Sequence, residues 1–436
     1  MQHQAVSSPS TNVDLAERTR RKIFRRIVPF LFVLYIIAYL DRANVAFAKL
    51  PMSADLGFSE AVFGLGAGIF FVGYIVLEIP GALIVERWSA KIWLARIMIT
   101  WGFCTVLVGF VHTANQFYIA RCLLGIAEGG FFPGVVVYLA HWFAKEDRAK
   151  AMAGFTMAAP ASLVIGAPIS ALILQADWLD LAGWRWMFIL EGLPAVIFGV
   201  IIVFFLTDHP RQAKWLEPDE REWVASRLED EKQALHRVGH LTVIQGLRQR
   251  NVLLLALACA FANLSMFAFL LWLPTTIRNA SGLSVTVSTI CSALPFGLAM
   301  LTIPIAARSS DRTGKRRIHT IIPLILAAMF FALSAVPGLP FPLVLTLLCL
   351  TGAAAFSWGV SFWVIPSLIL SESAAAASIG LINMVNSLGS FFGPSIVGYL
   401  LTSGYSHRDV VFFLSSCFVV SAALIAGVRS KEGINL

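Results

Sequence analysis

The stretch IVPFLFVLYIIAYLDRANVAF, residues 27–47, decides how this chain is read. A helix that crosses a bilayer needs about 20 mostly apolar residues, and this run has that length. It also carries two charges, Asp41 and Arg42, near its far end. The preceding Met1–Thr19 is polar, and the run is too long, and too poor in small residues at its end, for a cleaved leader. It is therefore expected to be the first spanning helix.

Similar runs recur outward from it, near 63–84, 92–111, 115–137, 152–174 and 186–206, and again near 252–275, 286–307, 319–337, 341–366, 376–401 and 409–428. The composition agrees: 58% hydrophobic, 13% charged and a mean hydropathy of +0.78 leave too little polar side chain to cover a water-soluble globule. The expected fold class is an all-α membrane protein of twelve transmembrane helices in two pseudo-symmetric six-helix bundles. The bundles occupy 27–206 and 251–428, with a tail at 1–26, a charged linker at 207–250 and a second tail at 429–436.

The net charge of +8 does not form a stripe that would fit nucleic acid. Basic residues gather on one side: Arg18 to Arg26, Arg87, Lys91, Lys145, Arg148, Lys150, the linker, Arg308 to Arg317, Arg429 and Lys431. The other side has only Lys49, Arg185, Arg278 and Arg408. Positive charge faces the cytoplasm, so both termini and the linker are expected there, which requires an even number of spans per half. The six cysteines sit inside apolar runs without paired spacing, and His112, His141, His319 and His407 are scattered near span ends. Neither set suggests a metal site or a disulfide framework.

The halves echo each other. Glu86, Arg87 and Lys91 follow the second span, and Asp311, Arg312, Lys315, Arg316 and Arg317 follow the eighth. Such a repeat suits two bundles that rock around a central site. Glu86, Arg87, Asp311 and Arg312 are expected to act as cytoplasmic gate and orientation elements.

An ionised group at mid-membrane costs roughly 2.5 to 3.5 kcal/mol on insertion scales, so each one needs a reason. Asp41 and Arg42 lie about 100° apart around a helix and cannot both point one way. Arg121 and Glu128, close to two turns apart, share a face with Gly125 between them. Arginine suits a carboxylate because its planar fork gives two parallel hydrogen bonds and stays charged, so Arg42 and Arg121 are the candidate substrate binders. Asp41 and Glu128 are the candidate proton carriers, subject to burial and to neighbouring arginines. The opposite reading is a static ion-pair network joining the first and fourth helices. Tyr74 adds a hydroxyl and a ring one turn before Glu78, and Glu78 is left outside the site. Trp363 and Asn383 are candidates from the second half, with interhelical packing as their alternative.

These loops, with Arg121, Gly125, Glu128, Gly129 and Gly130, resemble the major facilitator superfamily over nearly the whole chain. Tyr39-Leu40-Asp41-Arg42, Gly73-Tyr74 through Glu78-Ile79-Pro80, Gly183-Trp184-Arg185-Trp186 with Glu191-Gly192, Phe362-Trp363-x-x-Pro366 and Ile382-Asn383 resemble its anion:cation symporter family. The resemblance implies proton-coupled import of organic acids such as galactonate, tartrate or phthalate. It implies a bacterial inner membrane, a carboxylate and protons as partners alongside the bilayer, no cofactor beyond the coupling proton, and a monomer. Catalytic residues are not expected. Gly166 to Pro168 only loosely resembles an exporter motif, so the competing transport reading is movement or export of a neutral or cationic solute. A membrane sensor ranks below it, and no nucleophile elbow or phosphate-binding loop suggests an enzyme.

Overall fold

The computed structural model describes residues 9–236, 249–369 and 372–428. Twelve of its helices are long and apolar enough to cross a membrane: Asp14–Leu56, Glu60–Glu78, Ala90–Val108, Ala114–Trp142, Glu146–Ile173, Gly183–Phe205, Arg250–Ser281, Val285–Thr313, Arg316–Ser334, Phe341–Phe362, Ser378–Thr402 and His407–Ala426. They are called spans 1 to 12. The chain is an all-helical, multi-pass membrane protein, as its hydrophobic runs require.

Within the halves, span 3 packs on span 6, span 2 on span 4, and span 10 on spans 8 and 9. Across the halves, span 2 packs on span 11, span 1 on span 7, and span 5 on span 8. Hydrocarbon gives helices no hydrophobic reason to associate, so close backbone approach at small residues must hold them. Gly125 shows how close: a Cβ there would stand 1.9 Å from the Phe70 carbonyl oxygen on span 2.

Two elements differ from the simple spans expected. The first helix begins at Pro9, well before residue 27, and the linker contains a helix, Pro218–His236. That linker helix is docked, not merely solvated. Arg18 and Lys22 bind Glu220 at 3.0 and 2.9 Å, Arg227 binds Glu146 at 3.1 Å, and Arg148 binds Glu231 at 2.9 Å. Arg26 lies over the rings of Phe205 and Trp215, and Trp215 stacks on Trp142.

A further difference is a break in span 4. Its helix runs from Ala114 to Glu128 and resumes at Phe131, with Gly130 at φ 90°, a conformation that favours glycine. The Gly130 and Gly81 backbones approach so closely that a Cβ on Gly81 would meet the Gly130 Cα at 2.8 Å. Glu128 therefore ends a rigid half-helix pressed against span 2.

The halves are tied together at the pole opposite the termini. Lys49, 1% exposed, binds Glu60 at 2.9 Å and donates to the Thr275 hydroxyl of span 7 at 3.3 Å. The Trp272 indole N–H donates to Glu60 at 2.8 Å, and the Ala61 N–H donates to Thr402 of span 11 at 2.9 Å. A buried cation thus ties spans 1 and 2 of the first half to span 7 of the second.

Candidate functional site

Four of the expected charges converge inside the first half. Arg42 Nε donates to Glu128 Oε1 at 2.7 Å, and Arg42 Nη2 lies 2.5 Å from the same oxygen. The Arg42 guanidinium lies 5.0 Å from the Tyr74 ring centre, with the Tyr39 and Phe70 rings at 5.6 and 5.8 Å. Glu128 is fully buried, and its second oxygen has no hydrogen-bond partner among the described atoms. These three rings hold the cation by cation–π contacts.

Asp41 faces elsewhere, as its adjacency to Arg42 demands. It accepts hydrogen bonds from the Trp101 indole N–H, from the Thr105 hydroxyl at 2.7 Å and from the Asn44 amide at 2.8 Å. Trp101 and Thr105 belong to span 3, so this acid is satisfied by neutral donors instead of an arginine. Such a carboxylate can accept or lose a proton without breaking an ion pair.

Arg121 is 2% exposed and sits over the Phe70 ring at 4.9 Å. Its Nε reaches the Gly66 carbonyl at 3.4 Å, and its Nη1 has no hydrogen-bond partner among the described atoms. A buried guanidinium with an unused donor is primed for an acceptor from outside the protein.

Arg42 and Arg121 both line a small cavity of about 20 Å³, room for one water-sized group. Phe267 of span 7 and Pro394 of span 11 close it from the second half, with Phe267 edge-on to Phe71 at 4.7 Å. An organic acid does not fit this volume.

The other expected residues are arranged differently. Asn383 is bound across the halves to Glu78, its amide donating to Glu78 Oε1, so it is occupied by a carboxylate of the protein itself. Glu78 was left outside the expected site, although its place one turn after Tyr74 was a usable signal. Trp363 follows span 10, 39% exposed and edge-on to Phe362, and is not among the residues lining the arginine cavity. Asp311 pairs with Arg316 of its own half at 2.5 Å, and Arg312 is exposed at the end of span 8. Glu86 and Arg87 lie outside the described side chains.

The sequence reading named Lys49 and the buried Glu191 without giving them a role, and did not single out Glu60, Trp101 or Thr105. Lys49 was detectable as one of only four basic residues on the sparsely charged side. Among the described residues, groups of His, Cys, Asp and Glu that could hold a metal ion are absent.

Twelve apolar spans, with arginines and acids buried in the first half and two of those arginines on a cavity that the second half closes, have the form of a membrane transport protein, not an enzyme. A model of the Major Facilitator Superfamily matches residues 31–394, and the chain belongs to that superfamily. It is 42% identical to a putative tartrate transporter of Agrobacterium vitis, with 94% of each chain covered. It is 34% identical to a quinolone resistance transporter of Acinetobacter baumannii, with 96% of each covered. The inward-open structure of the Escherichia coli xylose transporter XylE superposes with a TM-score of 0.75 over 94% of this chain and 97% of that one. At 16% identity that likeness concerns the fold alone.

Proposed function

We propose that this protein imports an organic acid anion, a sugar acid or another carboxylate, together with protons, by alternating access of its two bundles. The observation that carries the reading is the pair of buried arginines on one central cavity, Arg42 held by Glu128 and Arg121 with a spare donor. When a proton neutralises Glu128, the Arg42 guanidinium is freed for the substrate carboxylate, and Arg121 supplies the second donor set. Loading substrate and proton together leaves fewer uncompensated charges to move across the bilayer than loading either alone.

Tyr74 orients Arg42 and offers its hydroxyl to a polyol or carboxylate, while Asp41 is the second proton carrier. One monoanion with one proton is electroneutral. Two protons move positive charge inward, worth about 2.3 kcal/mol per 100 mV. Both termini face the cytoplasm of a bacterial inner membrane, the unit is a monomer, and the coupling proton takes the place of a cofactor. Glu86, Arg87, Asp311 and Arg312 remain proposed gate elements.

The test is uptake of labelled carboxylates into proteoliposomes across a pH gradient, with and without an uncoupler. Accumulation that the uncoupler abolishes supports the reading, and uptake indifferent to the gradient removes proton symport. The 34% identity to a quinolone resistance transporter supports a second reading, export of a drug-like solute. Competition separates them, because carboxylates displace the substrate in the first case and leave it bound in the second.

A further inference from the structure

Glu191, on span 6, is a buried acid that the arginine pair does not use. It is 8% exposed, its Oε1 accepts the Ser170 hydroxyl of span 5 at 2.6 Å, and its Oε2 has no hydrogen-bond partner among the described atoms. Asn44 and Asp41 face it from span 1, Ser170 from span 5, and Thr105 lines the packing of span 3 beside Gly192. The charged group acting on it is Asp41, whereas Arg121 acts on Asp41 and on Glu128.

The hydrogen bonds between these groups have a direction. The Asn44 amide N–H donates to Asp41 Oδ1 at 2.8 Å, and Asn44 Oδ1 has no donor. An ionised Asp41 only accepts, which fixes the amide orientation. Asn44 acts on both acids, and Glu191 Oε2 has no hydrogen-bond partner among the described atoms. An ionised Glu191 leaves that oxygen unsatisfied and sets a second buried anion beside Asp41 without a counter-ion, the costly arrangement in hydrocarbon. A proton on Glu191 removes that second charge.

We propose that Glu191 is a further proton-binding site of this transporter, beside Glu128 and Asp41, coupled to Asp41 through Asn44 and exchanging its proton during the transport cycle. The step is proton transfer alone: the Glu191 O–H bond breaks, the electron pair stays on the carboxylate, and the proton passes to water admitted when spans 1 and 6 open to the cavity. The two acids then titrate as one unit, not independently. The exchange during transport rests on the proton-symport reading, and the bound proton does not.

Infrared titration of the purified full chain tests the site directly. Wild-type protein at neutral pH is expected to show the carbonyl band of a protonated carboxyl that is lost in Glu191→Gln and moved in Glu191→Asp, the variant to use should Gln not yield folded protein. A band unchanged by both substitutions overturns the proposal. In proteoliposomes with tartrate as probe, Glu191→Gln is expected to lose pH-gradient-driven uptake relative to tartrate counterflow, which needs no net proton movement. An unchanged ratio in a wild type that does respond to the gradient overturns the role of Glu191 alone. A wild type indifferent to the gradient overturns the symport reading, while the infrared band still reports the proton on Glu191.

Discussion

Replacing Glu60 with glutamine should open the pole that Lys49 now closes. The carboxylate accepts from Lys49 Nζ at 2.9 Å and from the Trp272 indole at 2.8 Å, and glutamine keeps the size and one acceptor while removing the charge. Lys49 would remain 1% exposed with the Thr275 hydroxyl at 3.3 Å and the Trp272 ring at 4.8 Å. A hydrogen bond to a charged group contributes about 1.5–3 kcal/mol when buried. The Glu60 side chain is 36% exposed, and solvent screening lowers the figure to about 1–2 kcal/mol. The wild-type closed pole is favoured by that amount, so its population relative to the open form should fall about 5- to 30-fold. Spin labels on Ala54→Cys and Ala280→Cys, both exposed at this pole, read the change as a longer inter-label distance on a background without the native cysteines. A distance distribution identical in Glu60→Gln and wild type would refute the assignment of a latch to Lys49 and Glu60.

Three further outcomes follow from the geometry. Arg121→Lys keeps the charge but loses the planar fork, and thermal-shift titration should show carboxylate binding weakened by about 1.5–3 kcal/mol; wild-type affinity in that variant would remove Arg121 from the site. Gly125→Ala places a Cβ 1.9 Å from the Phe70 carbonyl, and since backbone cannot step aside cheaply, the loss in detergent stability should reach the upper part of the roughly 1–3 kcal/mol range for overpacking, seen as a lower melting temperature. Burial raises the Glu220 carboxyl, but hydrogen bonds from Lys22 and the Glu217 N–H, with the Lys22 and Arg18 charges, outweigh it and hold it below the usual carboxylate range. Its folded value being the lower one, its contribution to linker docking is complete above the unfolded value and lost as pH falls through the folded one. Protease sensitivity of the linker helix should therefore rise only in acid below about pH 4, and a Glu220→Gln protein should already be sensitive at neutral pH.

The twelve spans were legible because hydrocarbon demands long apolar runs from any helix that crosses it. The early start of the first helix was not, because residues 9–26 are polar and their helix is supported by ion pairs with a linker more than 190 positions away. Arg42, Arg121, Asp41 and Glu128 were recognisable as expensive charges, and all four lie in one buried cluster. Their partners were not readable, since helix rotation decides them: Arg42 turns to Glu128 on span 4, and Asp41 to Trp101 and Thr105 on span 3. Asn383 shows the same limit. A polar side chain facing the middle of the protein was foreseeable, but its capture by Glu78 depends on where span 11 meets span 2.

The docked linker helix has a mechanical consequence. Its ion pairs reach Arg18, Lys22, Glu146 and Arg148, all in the first half. It is carried as freight by that bundle, and only residues 237–248 remain to reach the second. Twelve residues extend at most about 40 Å, which sets an upper limit on how far the linker-side ends of the two bundles can part. A fluorophore on the linker helix paired with one on span 9 would follow that separation as a ruler fixed to one arm of the machine.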